Sequence, residues 1–313
     1  MYKRFYGLTS LPFSLQPDPG VFYFGAQFAK ARTILDYAIL RREGILVITG
    51  DGGCGKTMLI RHFLADGAGD RCVGVISNPS SLKETLMTAL LMAFGQQIQA
   101  DEGALLYASF QAFLRAQHAA GNATILIVDE AQSLSFEMLE ELRLLTNPES
   151  DGNGSLQLVL VGQSQLQQLL YRPELSQLLQ RVVAHSHLQP LGMGETVEYV
   201  VHRLQCAGCE RAIFTPAAMS RIFHGAQGIP RLINMICDVA LLYGYAEQLQ
   251  EIDEAVVAQV VADRGLGEPV PELNSTDTDV VPALPSAPWG ATEPSASEWE
   301  IAEQLFNESK KRR

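Results

Sequence analysis

A chain of 313 residues, 47% apolar and 19% charged, is long enough to bury a sizeable core and to divide into two packed domains. Its 35 acidic residues outnumber 23 basic ones, and the net charge of −12 argues against a broad, non-specific nucleic-acid surface. The 5 cysteines, odd in number and mostly isolated, do not make a disulfide framework, and no run approaches the roughly 18 apolar residues that span a bilayer. Met1 to Gly7 also lacks the apolar core of a signal peptide, so the expected compartment is the cytoplasm.

In chain order, Tyr6-Gly7-Leu8 to Pro12-Phe13 and Pro17-Asp18-Pro19 to Phe24 are rich in Pro, Gly and aromatics and predict an ordered but irregular arm. Phe28, Ala31, Ile34, Leu35 and Ala38 form the apolar stripe of a helix from about Ala26 to Arg42, ended by Gly44. The apolar run Ile45 to Thr49 predicts a buried strand. It leads into Gly50-Asp51-Gly52-Gly53-Cys54-Gly55-Lys56-Thr57, with Met58 next, at the start of a helix. Glycines let successive N–H groups face one concavity, and the helix N-terminus adds partial positive charge. In that cradle Lys56 neutralises phosphates and the Thr57 hydroxyl is a ligand for Mg²⁺. The chain therefore reads as a binder of a nucleoside triphosphate. Cys54 stands where helix-end charge is expected to lower a thiol pKa.

Strand and helix then alternate. Val73 to Ser77, Ile125 to Val128, Leu156 to Val161 and Val182 to His187 read as strands; Leu82 to Phe94, Ala104 to Ala119 and Phe136 to Leu145 read as helices. Short apolar strands separated by helices predict a parallel sheet covered on both faces. From Gly194 the strand signals stop, and Thr196 to Leu204, Pro216 to Phe223, Pro230 to Tyr245 and Asp253 to Ala262 predict a small all-helical unit. Cys206 and Cys209 have ligand spacing but no second pair, so they read as ordinary cysteines at a helix end. Past Gly265 the composition turns to Pro, Ser, Thr, Asp and Glu, which predicts a disordered tail. Trp299 to Phe306 within it has helical spacing and reads either as a docking helix or as frayed chain.

The third strand ends in Asp129-Glu130. At that position Asp129 is placed to hold Mg²⁺ and Glu130 to activate water. A carboxylate dedicated to water favours hydrolysis over transfer to an acceptor. Gln163 ends the next strand, where it reads equally as a hydrogen-bonder of the γ-phosphate or attacking water and as a loop amide. Arg231, in Gly228-Ile229-Pro230-Arg231, begins a helix whose first turn is unfavourable for a cation, which points to a functional reason. Arg181 is placed to act as an arginine finger on a neighbouring subunit's nucleotide, with Arg172 as a rival.

Together the phosphate loop, Ile125 to Glu130, Gln163, Arg181 and Gly228 to Arg231 resemble a AAA+ ATPase. The opening Tyr6-Gly7-Leu8 through Pro17-Asp18-Pro19, with Val128-Asp129-Glu130-Ala131-Gln132, Leu160 to Gln163 and Pro230 to Asn234, narrows the resemblance to the ExeA-like group. Within it the chain looks most similar to soluble members linked to exosortase and exopolysaccharide loci or to pilus biogenesis. The resemblance, which covers about residues 1–264, implies an α/β P-loop domain at 45–192, preceded by an arm and helix (1–44) packed on it, then a helical lid at 193–264; composition sets the acidic, Pro-rich tail at 265–313. It also implies ATP with Mg²⁺, Gln163 and Arg231 as sensors, and Asn78 as a polar switch on Glu130. The expected assembly is a homo-oligomeric ring or filament working with envelope secretion or polysaccharide-export components, reaching the inner membrane through partners without direct insertion. A DNA-associated ATPase recruiting a transposase, and a low-turnover ATP switch, are the alternatives.

Overall fold

A computed structural model describes residues 2–266, except 16–18, 43, 66–70, 82–84, 98–102, 147–155 and 210. Most of the expected tail, with its candidate helix at Trp299 to Phe306, lies outside the described residues.

Five strands, β1 (Ile45–Gly50), β2 (Arg71–Ile76), β3 (Ala123–Val128), β4 (Leu156–Gly162) and β5 (Val182–Leu188), pair in parallel in the order β2-β3-β4-β1-β5. Their apolar runs divide by the period of two that a strand imposes. Val47, Leu126, Val128, Leu158 and Leu160 enter one core cluster, whereas Leu46, Ile48, Ile125, Ile127 and Val159 enter another on the opposite face. The parallel sheet covered on both faces is therefore the fold that the sequence predicts.

The first face is covered by α4 (Leu86–Ala93), α5 (Gly103–Ala119), α6 (Phe136–Leu145), α7 (Ser164–Leu170) and α8 (Ser176–Leu179), after α1 (Tyr2–Tyr6), α2 (Ala26–Leu40) and α3 (Lys56–Ala65) earlier in the chain. The second face is covered by α2, through Phe28, Ala31, Leu35 and Ala38, and by α3. Capping fixes several starts. Thr85 accepts from Thr88 N at 3.4 Å and Ser135 from Met138 N at 3.3 Å. The short helices α1, α7 and α8 are additions to the predicted set.

After β5 come α9 (Met193–Cys206), α10 (Pro216–Ala226), α11 (Pro230–Ala246) and α12 (Glu254–Asp263). Thr215 caps α10 through Ala218 N at 3.1 Å, with Pro216 in the first helical position, as Thr-Pro predicts. These helices share a core of their own with Tyr2, Tyr6, Leu8 and Phe13. The start of the arm thus packs into the helical bundle and not, as expected for residues 1–44, against the sheet-bearing core. Its rings are large apolar surfaces, and the bundle offers them a complete pocket. Tyr2 donates to Asp238 and Tyr6 to Leu249 O, so each buried hydroxyl is satisfied. Only from Phe22 onward does the arm join the sheet's core.

Candidate functional site

Parallel strands deliver their C-terminal ends, and the turns that follow, to one edge of the sheet. There β1 runs through the glycine-rich loop into α3. Among the described residues the N–H groups of Gly55 to Met58 find no backbone acceptor; Leu59 N is the first to bond back, to Gly55 O at 3.0 Å. Those donors suit an anion. Lys56 is buried, and its Nζ turns back onto Gly50 O at 2.6 Å and Asp51 O at 2.9 Å. A phosphate group can replace these two neutral acceptors with charged ones, a stronger pairing.

Beside the loop, β3 ends in buried Asp129, whose Oδ2 accepts from Thr57 Oγ1 at 2.8 Å and whose Oδ1 accepts from Glu130 N at 3.0 Å. Glu130 itself is left-handed, with φ 56° and ψ 37°, a conformation that disfavours a side chain and marks a specialised turn. Its carboxylate is met by an amide that the sequence reading did not single out. Gln132 Nε2 donates to Glu130 Oε2 at 2.5 Å, and Gln163 Nε2 lies 3.5 Å from the same oxygen. Asn78, the expected switch on Glu130, is exposed and accepts from Ser80 Oγ at 2.6 Å; the amide seated on the carboxylate is that of Gln132.

The helical bundle closes the other side. Gly53 has φ +93°, and a Cβ there would lie 2.8 Å from Arg231 Cβ and 3.0 Å from Ile229 Cγ2. The first turn of α11 therefore rests against the phosphate loop. The arm is fastened beside it. Arg203 of α9 donates to Pro12 O at 2.5 Å and Ser14 O at 3.1 Å, Tyr23 donates to Glu198 at 2.6 Å, and a His202 ring nitrogen lies 3.0 Å from Phe22 O. A cavity of about 520 Å³ lies between these pieces. Its wall includes Gly52 to Met58, Glu130, Gln163 and Arg231, and also arm residues Leu15, Val21, Phe22 and Tyr23 with Tyr199 and Arg203 of α9. The apolar arm side was not foreseen. Its signal was present in the aromatics of the arm, but the contacts of Tyr23 with Glu198 and of Phe22 O with His202 join residues more than 170 positions apart.

Arg181 and Arg172 stand apart. Arg181 O accepts from Ile45 N at 2.9 Å, which places it at the opposite edge of the sheet from the loop, and its guanidinium donates to Arg143 O at 3.0 Å. Arg172 is exposed before the short turn at Pro173. Neither lines the cavity of its own chain.

Cys54 departs from expectation. Burial and the Asp51 carboxylate push its thiol pKa up, outweighing the opposite pull of Lys56, so it is not an activated thiolate. Cys206 is exposed and Cys209 buried, and among the described residues no group of three His, Cys, Asp or Glu could hold a metal.

The profile of a family described as AAA domain matches residues 39–170. General secretion pathway protein A of Aeromonas hydrophila is 41% identical over 253 residues, which are 80% of this chain and 46% of that protein. This chain therefore spans just under half of that relative's length. Among solved structures, the ORC2 protein of Aeropyrum pernix in ADPNP–ADP complexes superposes with a TM-score of 0.61 at 17% identity, over 80% of this chain and 70% of that one. The Holliday junction branch migration motor RuvB of Thermotoga maritima gives 0.51 at 18% identity, over 76% and 69%. At such identities these two likenesses speak for the fold alone.

Proposed function

Since the chain belongs to the AAA family as a relative of general secretion pathway protein A, we propose that it binds ATP in this cavity and hydrolyses it to ADP and phosphate. The observation that carries the reading is the meeting of Lys56, the Thr57–Asp129 pair, Glu130, Gln163 and Arg231 around one site. Lys56 and the free loop N–H groups bind the phosphates. The hydroxyl of Thr57 and the carboxylate of Asp129 are hard oxygen donors that would hold Mg²⁺, which would supply neutralisation of phosphate charge. Glu130 takes a proton from a water whose oxygen bonds to the γ-phosphorus as the bond to the ADP oxygen breaks. Gln163 orients that water, and Arg231 meets the γ-phosphate from the bundle, linking nucleotide state to the position of the lid at 193–264.

Arg181, remote from its own cavity, is proposed as the finger on a neighbouring copy's nucleotide, with Arg172 as the rival; both require a homo-oligomer. Kinship with a secretion-pathway protein supports the remaining step, in which the cycle energises or organises a bacterial secretion, pilus or exopolysaccharide-export assembly. Among the described residues no helix is long and apolar enough to cross a membrane, so contact with the inner membrane is proposed to run through partners.

Steady-state phosphate release tests the proposal. It is measured across protein concentrations, with Glu130→Gln as background and with duplex DNA at low salt as a further arm. Turnover per subunit that rises with concentration and ignores DNA supports the proposal. Turnover no higher than in Glu130→Gln overturns hydrolysis. Strong DNA stimulation, lost as salt is raised, overturns the export role in favour of a DNA-associated ATPase.

A further inference from the structure

Gln132 sits in the short turn Ala131–Ser133, half-buried, and spans two strand ends. Its Oε1 accepts from the backbone N–H of Gln163, just past β4, at 3.1 Å, and its Nε2 donates to Glu130 Oε2, just past β3, at 2.5 Å. The direction of the amide is fixed, because a backbone N–H can only donate and so selects the oxygen end. A second observation is independent of those bonds. A Cβ on Gly162 would fall 2.5 Å from Gln132 Oε1, so a residue without a side chain stands where the amide must pass.

We infer that Gln132 is a positioning residue for hydrolysis, its amide holding the Glu130 carboxylate against the end of β4 so that Oε1 meets the attacking water. The inference rests on the ATPase reading above. Both amide donors, from Gln132 and Gln163, fall on Oε2, which leaves the other oxygen of Glu130 as the base. Glu130 has three rotatable side-chain bonds on a left-handed backbone, and without this brace its carboxylate samples several orientations. The backbone side of the turn is fastened separately, by Ser133 Oγ and N on Glu130 O at 2.7 and 3.0 Å. Gln132 thus acts on the carboxylate and not on the loop as a whole. It also ties the base to the strand end that carries Gln163, so a shift of that strand end moves the base with it.

The test uses the full chain with Gln132→Met, which keeps side-chain length without the amide, and Gln132→Ala. Phosphate release gives kcat and KM, and titration with a fluorescent ATP analogue gives affinity. Each variant is expected to lower kcat by about 10- to 100-fold while affinity and KM stay within about threefold. In a Glu130→Gln background, adding Gln132→Met is expected to cost less than about twofold, because the group it positions as a base is gone. A kcat within twofold of wild type in Gln132→Met, or the same loss repeated in the Glu130→Gln background, overturns the inference while leaving the ATPase reading in place. Wild-type turnover no higher than in Glu130→Gln sinks both.

Discussion

The backbone N–H of Arg231 lies 3.4 Å from Gly53 O, so α11 begins on the phosphate loop itself. Gly53 holds φ +93°, and its missing side chain is what admits Arg231. Gly53→Ala is expected to strain the loop by about 1–3 kcal/mol and to push α11 away. Affinity for a fluorescent ATP analogue should fall by about 5- to 150-fold, the factors to which 1–3 kcal/mol corresponds. Unchanged affinity would mean that loop and α11 separate at little cost.

Binding and chemistry should separate cleanly. Glu130→Gln is expected to keep ATP affinity within about threefold and to lower kcat by about 10²- to 10⁴-fold, the range typical of losing a general base. Lys56→Ala should lose affinity first. Parallel titrations and phosphate-release assays decide the matter, and a Glu130→Gln protein with wild-type turnover would remove Glu130 from the mechanism.

Arg181 and Arg172 can be told apart by mixing. A finger variant keeps its own cavity intact but fails its neighbour, whereas Glu130→Gln has a failed cavity and a sound finger. Arg181→Ala is expected to lower turnover by about 10³-fold on its own, and to recover part of it when mixed with Glu130→Gln subunits. Recovery with Arg172→Ala instead would transfer the role. Recovery with neither would mean that no finger acts between copies.

The sheet's apolar strands and the loop at Gly50 to Thr57 were legible because both signals are local: short unbroken apolar runs, and a motif eight residues long; the strand order β2-β3-β4-β1-β5 was not, because it depends on which distant strands pair. The helical unit was equally plain, since Thr215-Pro216 and the periodic stripes of α10 to α12 need no tertiary information. What stayed hidden depends on contacts between distant residues. Nothing near Pro12 announces Arg203, and nothing near Tyr2 announces Asp238. Gln132 was hidden for another reason: its role depends on the left-handed turn at Glu130, which brings a side chain two positions on back over the carboxylate. The pKa of Cys54 was misjudged because helix-end charge was weighed without burial or Asp51.

At the end of β1, the Thr49 hydroxyl lies 2.9 Å from both His185 Nε2 and His187 Nδ1, within hydrogen-bond reach of both rings. Burial first, then the neighbouring His187, lower the His185 pKa to about 4. The unfolded chain takes up that proton near pH 6.5, so between pH 6.5 and 4 it binds more protons than the fold does. Stability from this residue is complete above pH 6.5 and is lost as pH falls, by up to about 2 kcal/mol at pH 5. Urea unfolding at pH 7.5 and pH 5 checks this. His185→Gln should flatten the difference by about that amount, and an equal pH slope in both proteins would exclude His185 as its source.

The docking of Tyr2, Tyr6, Leu8 and Phe13 among α9 to α12 also bears on how the chain acquires its fold. In chain order these residues precede their partners, from Tyr199 to Val261, with every strand of the sheet between them. Closing that contact spans about two-thirds of the chain, a long loop whose closure is slow.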